Sequence, residues 1–174
     1  LALTVLVYWP GLSGPFAFDD FGNIVKNPYV NPYLNAEYPG ANRTLPHWAD
    51  VRDAAHSSRA GPLGRPVAMA SFALNGHAQY DAARAKLDPY GFKLTNLLVH
   101  VLNGVLVFVL AWLLARRVGV ASREQSGWPS IEATPWVVAT GVAAIWLLHP
   151  IQLTGVLYVV QRMTSLSAFA VFLG

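Results

Sequence analysis

The residues best suited to chemistry are two adjacent carboxylates, Asp19 and Asp20, set among Phe16, Phe18 and Phe21 just past a Gly14-Pro15 break. Neighbouring carboxylates repel, and repulsion or burial lifts one of them toward the range useful for a general base. Such a base can take the proton of an attacking hydroxyl. Two arginines, Arg65 and Arg162, supply planar guanidinium groups that match phosphate oxygens. Tyr158, Gln161 and the His149-Pro150 pair lie close in sequence to Arg162. A further polar set, Lys93, Asn96, His100 and Asn103, recurs at helical spacing within an apolar run and so falls on one helix face. A carboxylate beside a guanidinium suits transfer from a lipid-phosphate-linked donor to a hydroxyl: the base activates the acceptor and the cation stabilises the departing phosphate.

Each of these residues also has a plainer reading. The acid pair can mark a membrane exit or cap a helix. His100 and Asn103 can be interhelical hydrogen-bond donors. Arg65 and Arg162 can snorkel to an interface, and His149 before Pro150 can simply end a helix.

The chain that must position these groups is apolar. Hydrophobic residues make up 54% of 174 and charged residues 12%, with a mean hydropathy of +0.38; soluble domains carry about 25% charged residues. An all-α, polytopic membrane helix bundle is the expected fold class. The chain starts on Leu1 inside one apolar run and stops at Gly174 inside another, which reads as an N-terminal fragment of a longer membrane domain. Net charge is only +3 and the basic residues are scattered, so nucleic acid is not an expected partner. With no cysteine, disulfides, Cys-based metal sites and thiol nucleophiles are excluded. Nothing in the pattern requires a metal, although the acid pair leaves room for a divalent ion bridging it to a phosphate.

Taken in order, residues 1–12 form a partial span, ended by Pro10-Gly11. Residues 13–91 form a long external loop, punctuated by turn signals at Asn27-Pro28, Asn31-Pro32, Tyr38-Pro39-Gly40 and Gly61-Pro62. Two short surface helices are expected within it. One runs from Leu45 to His56 with Trp48, Val51 and Ala55 on its apolar face. The other starts near Pro66, a favourable first-turn residue. Residues 92–115 give the clearest span, 116–133 a short loop, 134–149 a second span, and 150–174 an external segment leading into a truncated span. Thr154, Tyr158, Arg162 and Ser165 would share one helix face. The short loop carries Arg116, Arg117 and Arg123, and the positive-inside rule puts it in the cytoplasm. The acid pair, Arg65, His149 and Arg162 then meet at the opposite membrane face, in a bacterial periplasm or, in a eukaryote, the lumen of the endoplasmic reticulum.

The order of Phe18-Asp19-Asp20, Arg65-Pro66 with Ser71-Phe72 and Asn75, His100-Val101-Leu102-Asn103, His149-Pro150-Ile151-Gln152 and Val160-Gln161-Arg162 resembles the membrane domain of tetratricopeptide-containing protein O-mannosyltransferases and their bacterial relatives, within the GT-C glycosyltransferase superfamily. Gln161 departs from the animal proteins, which usually carry Gly there. The resemblance implies an inverting, multi-pass membrane enzyme with a polyprenyl-phosphate sugar as donor substrate and a protein or peptide Ser/Thr hydroxyl as acceptor. It implies Asp19 and Asp20 as catalytic acids, Arg65 and Arg162 at the donor phosphate, and His149, Gln161, Tyr158, His100 and Asn103 lining the site. It also implies a tetratricopeptide array beyond the fragment. Two rival readings stand beside it: a transporter or flippase for a lipid-linked or anionic substrate, with the polar face of residues 93–103 lining its path, and a non-catalytic membrane anchor for a repeat domain.

Overall fold

The computed structural model describes residues 1–34, 48–57, 65–80, 86–125 and 135–174. Helices and turns are the only regular structure among them. The turn signals at Tyr38-Pro39-Gly40 and Gly61-Pro62, and the first residues of the expected Leu45–His56 helix, lie outside the described residues.

Helix α1, Ala2–Tyr8, tightens into a 3-10 segment over Trp9–Ser13, where Pro10 removes a backbone donor. After a turn, Phe21–Val25 form a short π-helical segment. Helix α2, Trp48–His56, buries Val51 and Ala54. Trp48, expected on that face, is 77% exposed; packing against the next helix selects the i, i+3 pair one step round from it. Helix α3, Pro66–Ala78, begins on Pro66 as expected and buries Ala68, Met69, Phe72, Ala73, Gly76 and His77. It can come this close to the preceding loop because position 76 is glycine: a Cβ there would overlap the Val30 carbonyl.

Helix α4, Pro89–Gln125, is the long axis of the fold. It starts before the expected span and continues past Arg116 and Arg117, so much of the expected 116–133 loop is helix. No proline interrupts the run after Pro89, and its stretch Ala111–Arg117 is rich in good helix formers. Within Pro89–Val118 an 18-residue window reaches a mean hydropathy of 2.5, and the helix's 30 residues rise about 45 Å, enough to cross a hydrocarbon core of about 30 Å.

Helix α5, Pro135–Leu148, does not meet that requirement alone: its 14 residues rise about 21 Å. It reaches spanning length only together with Pro150–Leu157, across a 50° bend. The expectation of several independent spans is corrected: among the described residues one helix is long and apolar enough, or two if the bent pair is one span. The bend follows from sequence: Pro150 cannot donate to the α5 ladder and disfavours helical backbone at His149, whose ψ is 131°.

Helix α6, Leu153–Leu157, is followed by extended backbone at Tyr158, a 3-10 turn over Val159–Gln161, and helix α7, Arg162–Leu173. The expected single polar face through Thr154, Tyr158, Arg162 and Ser165 is therefore not formed, because the helix is broken between the second and third of these residues. Three breaks now exist, at Gly14-Pro15, at His149-Pro150 and at Tyr158. All three are stitched to α4.

Candidate functional site

The stitching is done by the polar face of α4. Lys93, Asn96, His100 and Asn103 are all buried, and each reaches one or more backbone carbonyls of another element, those of the first three at or beside a break. Lys93 Nζ donates to the carbonyls of Gly14, at 2.8 Å, and Pro15, at 3.2 Å. The Asn96 amide donates to Val156, Tyr158 and Val159. His100 Nε2 lies 3.0 Å from the Leu147 carbonyl, which also accepts from the Tyr8 hydroxyl; the imidazole sits between the Tyr8 edge and the stacked Trp146 ring. Asn103 donates to the Ser165 carbonyl. These side chains hold the bundle together, the plainer of the two roles the sequence offered for His100 and Asn103.

Arg162 belongs to the same framework. It is fully buried. Its Nε donates to Asn96 Oδ1 at 2.7 Å, Nη1 to the Ser71 carbonyl and hydroxyl, and Nη2 to the Phe92 carbonyl at 2.8 Å. Phe72 and Phe92 cover it, the nearer ring centroid 4.7 Å from Cζ. A guanidinium has five N–H groups, and four are already committed to α3 and α4. The expected phosphate-binding role of Arg162 is revised on that ground: the group is a clasp between α3, α4 and α7 and presents no open face.

The acid pair is split. Asp20 is completely buried. Its two oxygens accept from the Ala17 amide at 3.0 Å and the Val160 amide at 2.8 Å, which ties the start of the loop to the turn before α7. Burial pushes its pKa up, against the opposing pull of the amides of Ala17, Val160 and Val159 and of the nearby Lys93 ammonium. Asp19, one residue earlier, is exposed. Its amide donates to the Tyr158 hydroxyl at 3.0 Å. Tyr158 is pushed up in pKa by burial first and then by the Asp19 and Asp20 carboxylates.

The local backbone explains how neighbours come to face opposite ways. Asp20 N–H closes a turn on the Ala17 carbonyl, and Phe18 inside it has φ of 42°. That left-handed conformation is uncommon for a bulky residue. It leaves Phe18 84% exposed, with its ring edge-on to Tyr158 at 6.2 Å. Sequence reasoning gave Phe18 only as an aromatic beside the acid pair; a dihedral angle leaves no trace in composition or spacing.

Arg65 is exposed and immediately precedes α3. Its Nη1 lies 2.9 Å from Met163 Sδ. Among the described residues, Arg65 is the one charged side chain lining a groove of about 460 Å³ between α3 and α7, whose walls include Val67, Ala68, Met163, Leu166 and Ser167. Val160, which anchors Asp20, and Met163, which touches Arg65, are three residues apart on the same strut, a rise of about 5 Å. Of the other expected lining residues, His149 is exposed and its Nδ1 accepts from the Ile151 amide as a cap, and Gln161 Oε1 accepts from Thr164. Both side chains are engaged locally. Arg116 and Arg117 lie 23 residues beyond Lys93 on α4, about 35 Å along its axis, at the end away from the acid pair.

No grouping of three or more His, Asp or Glu side chains that could hold a metal occurs among the described residues. Comparison with protein-family models, curated proteins and solved structures finds no match to this chain.

Proposed function

We propose that this chain is part of a membrane glycosyltransferase of the GT-C type, which transfers a sugar with inversion from a polyprenyl-phosphate donor to a hydroxyl acceptor, a protein Ser or Thr. It works in a multi-pass protein of a bacterial inner membrane, on the side away from Arg116 and Arg117. The division of the acid pair carries the reading. Asp20 is committed to the fold, and Asp19 beside it keeps a carboxylate open to solvent; Val160, which anchors Asp20, is three residues from Met163, which Arg65 touches at the mouth of the groove. Asp19 is the base that takes the acceptor proton.

The groove supports the donor half of the reaction. It is walled by apolar side chains, as a polyprenyl chain requires, and the N-terminus of α3 opens beside Arg65. The first amides of that helix have no intrahelical acceptor, and together with a guanidinium they favour a phosphate. Arg65 takes the phosphate role alone, since Arg162 is fully engaged. The transporter reading loses its main support, because the polar face of α4 that would line a path is bonded to backbone carbonyls.

The test is transfer from a panel of polyprenyl-phosphate sugars to Ser/Thr peptides by the full-length protein in nanodiscs. Asp19→Asn should lower kcat by about 10²- to 10⁴-fold, and Arg65→Ala should raise the donor KM. Unchanged transfer in a well-expressed Asp19→Asn protein would remove the catalytic assignment.

A further inference from the structure

Phe18 is strained and solvent-exposed, and neither property is explained by packing. Its φ of 42° costs about 1–2 kcal/mol for a residue with a Cβ, and a ring that is 84% exposed returns little of that by burial. Yet the strain has a definite geometric result. It sends Asp20 inward to Ala17 and Val160 and leaves Phe18, Asp19 and Tyr158 together on the outer side. Tyr158 links the other two: its ring meets the Phe18 ring edge-on, and its hydroxyl accepts from the Asp19 amide and faces the Asp19 carboxylate. The bond from the Asp19 amide to the Tyr158 hydroxyl fixes the Asp19 backbone against the Tyr158 ring.

We propose that Phe18 and Tyr158 form the acceptor ledge of the site. Phe18 is the contact for an apolar side chain next to the reacting Ser or Thr of a peptide, and Tyr158 is the positioning residue that holds Asp19 toward that hydroxyl. This rests on the glycosyltransferase reading for the chemistry and on the geometry alone for the contact. A peptide fits these groups better than a lipid surface does. A carboxylate directly beside the ring opposes insertion into hydrocarbon, and a residue that only dips into the interface needs no left-handed backbone.

The ledge is tested in the full-length protein with two peptides, one carrying leucine beside the acceptor serine and one carrying glycine. Phe18→Ala should raise KM for the leucine peptide about fivefold, within the range of an aromatic contact, leave kcat unchanged, and spare the glycine peptide. Phe18→Trp should restore the leucine preference. Tyr158→Phe keeps the ring contact and removes the hydroxyl; it should lower kcat about tenfold for both peptides through misplacement of Asp19, with little change in KM. Equal effects of Phe18→Ala on both peptides would overturn the ledge while leaving the transferase intact. A second readout does not need catalysis: 4-fluorophenylalanine at position 18, observed by fluorine NMR. A saturable shift with the leucine peptide supports the ledge even if no donor is transferred, in which case the transferase reading alone falls. A signal that responds to empty phosphatidylglycerol vesicles and not to the peptide overturns it.

Discussion

Replacing Asp20 by alanine tests the fold-holding carboxylate apart from its neighbour Asp19, the base in the proposed reaction. In the native protein two amides, from Ala17 and Val160, point at its oxygens, and the side chain has no exposed surface. Alanine leaves both donors without an acceptor in a site too enclosed for easy hydration. An orphaned buried donor costs about 1–3 kcal/mol, so the gross loss is roughly 2–6 kcal/mol. Part of this is offset, because the substitution also removes a desolvated carboxyl group whose charge burial disfavours. A net loss of about 2–4 kcal/mol is expected. Asparagine should cost less: its carbonyl oxygen serves one amide, while its NH₂ faces the other donor. Asp19→Asn, on an exposed side chain, should change stability by no more than about 0.5 kcal/mol while lowering kcat about 10²- to 10⁴-fold. Denaturation in detergent gives the global values, and hydrogen exchange at the amides of Ala17 and Val160 gives the local ones. The reasoning fails if Asp20→Ala is as stable as wild type, or if those two amides keep their protection in it.

Other outcomes follow from the same contacts. The raised pKa of Asp20 means the folded protein keeps its proton at pH values where the unfolded chain has already released it. The stability of wild type relative to Asp20→Asn should be greatest below about pH 3.9, the unfolded value, and should decline as pH rises through the folded value; paired denaturation curves across that range check the sign. Arg162→Lys should lose about 2–4 kcal/mol despite its retained charge, because one ammonium cannot reach Asn96, Ser71 and Phe92 together; thermal melts would show it. Gly76→Ala should destabilise by about 1–3 kcal/mol, since its Cβ meets the Val30 backbone and not a movable side chain; a variant as stable as wild type would refute the close approach. Phe18→Gly should gain about 1 kcal/mol of stability by relieving the left-handed backbone, measured by denaturant midpoint, at the expense of the leucine-peptide preference.

Local sequence was enough for the helical character of the chain, the long α4, the start of α3 at Pro66 and the breaks at Gly14-Pro15 and His149-Pro150. These follow from apolar run length and from proline, both of which act within a few residues. The spacing of Lys93, Asn96, His100 and Asn103 also determined that they share a face. What that face does was a tertiary matter: it meets carbonyls freed up to 79 residues away along the chain. Two pairs of residues that look equivalent in sequence were likewise told apart only by the fold. Adjacent aspartates have the same chemistry in sequence, and they differ here because the Ala17–Asp20 turn puts one against Val160 and leaves the other in solvent. Arg65 and Arg162 are alike in sequence too, yet one borders an open groove and the other is enclosed by Asn96, Ser71 and Phe92. Residue type sets what a side chain can bond; distant backbone, brought close by packing, decides which of those bonds it has left to offer.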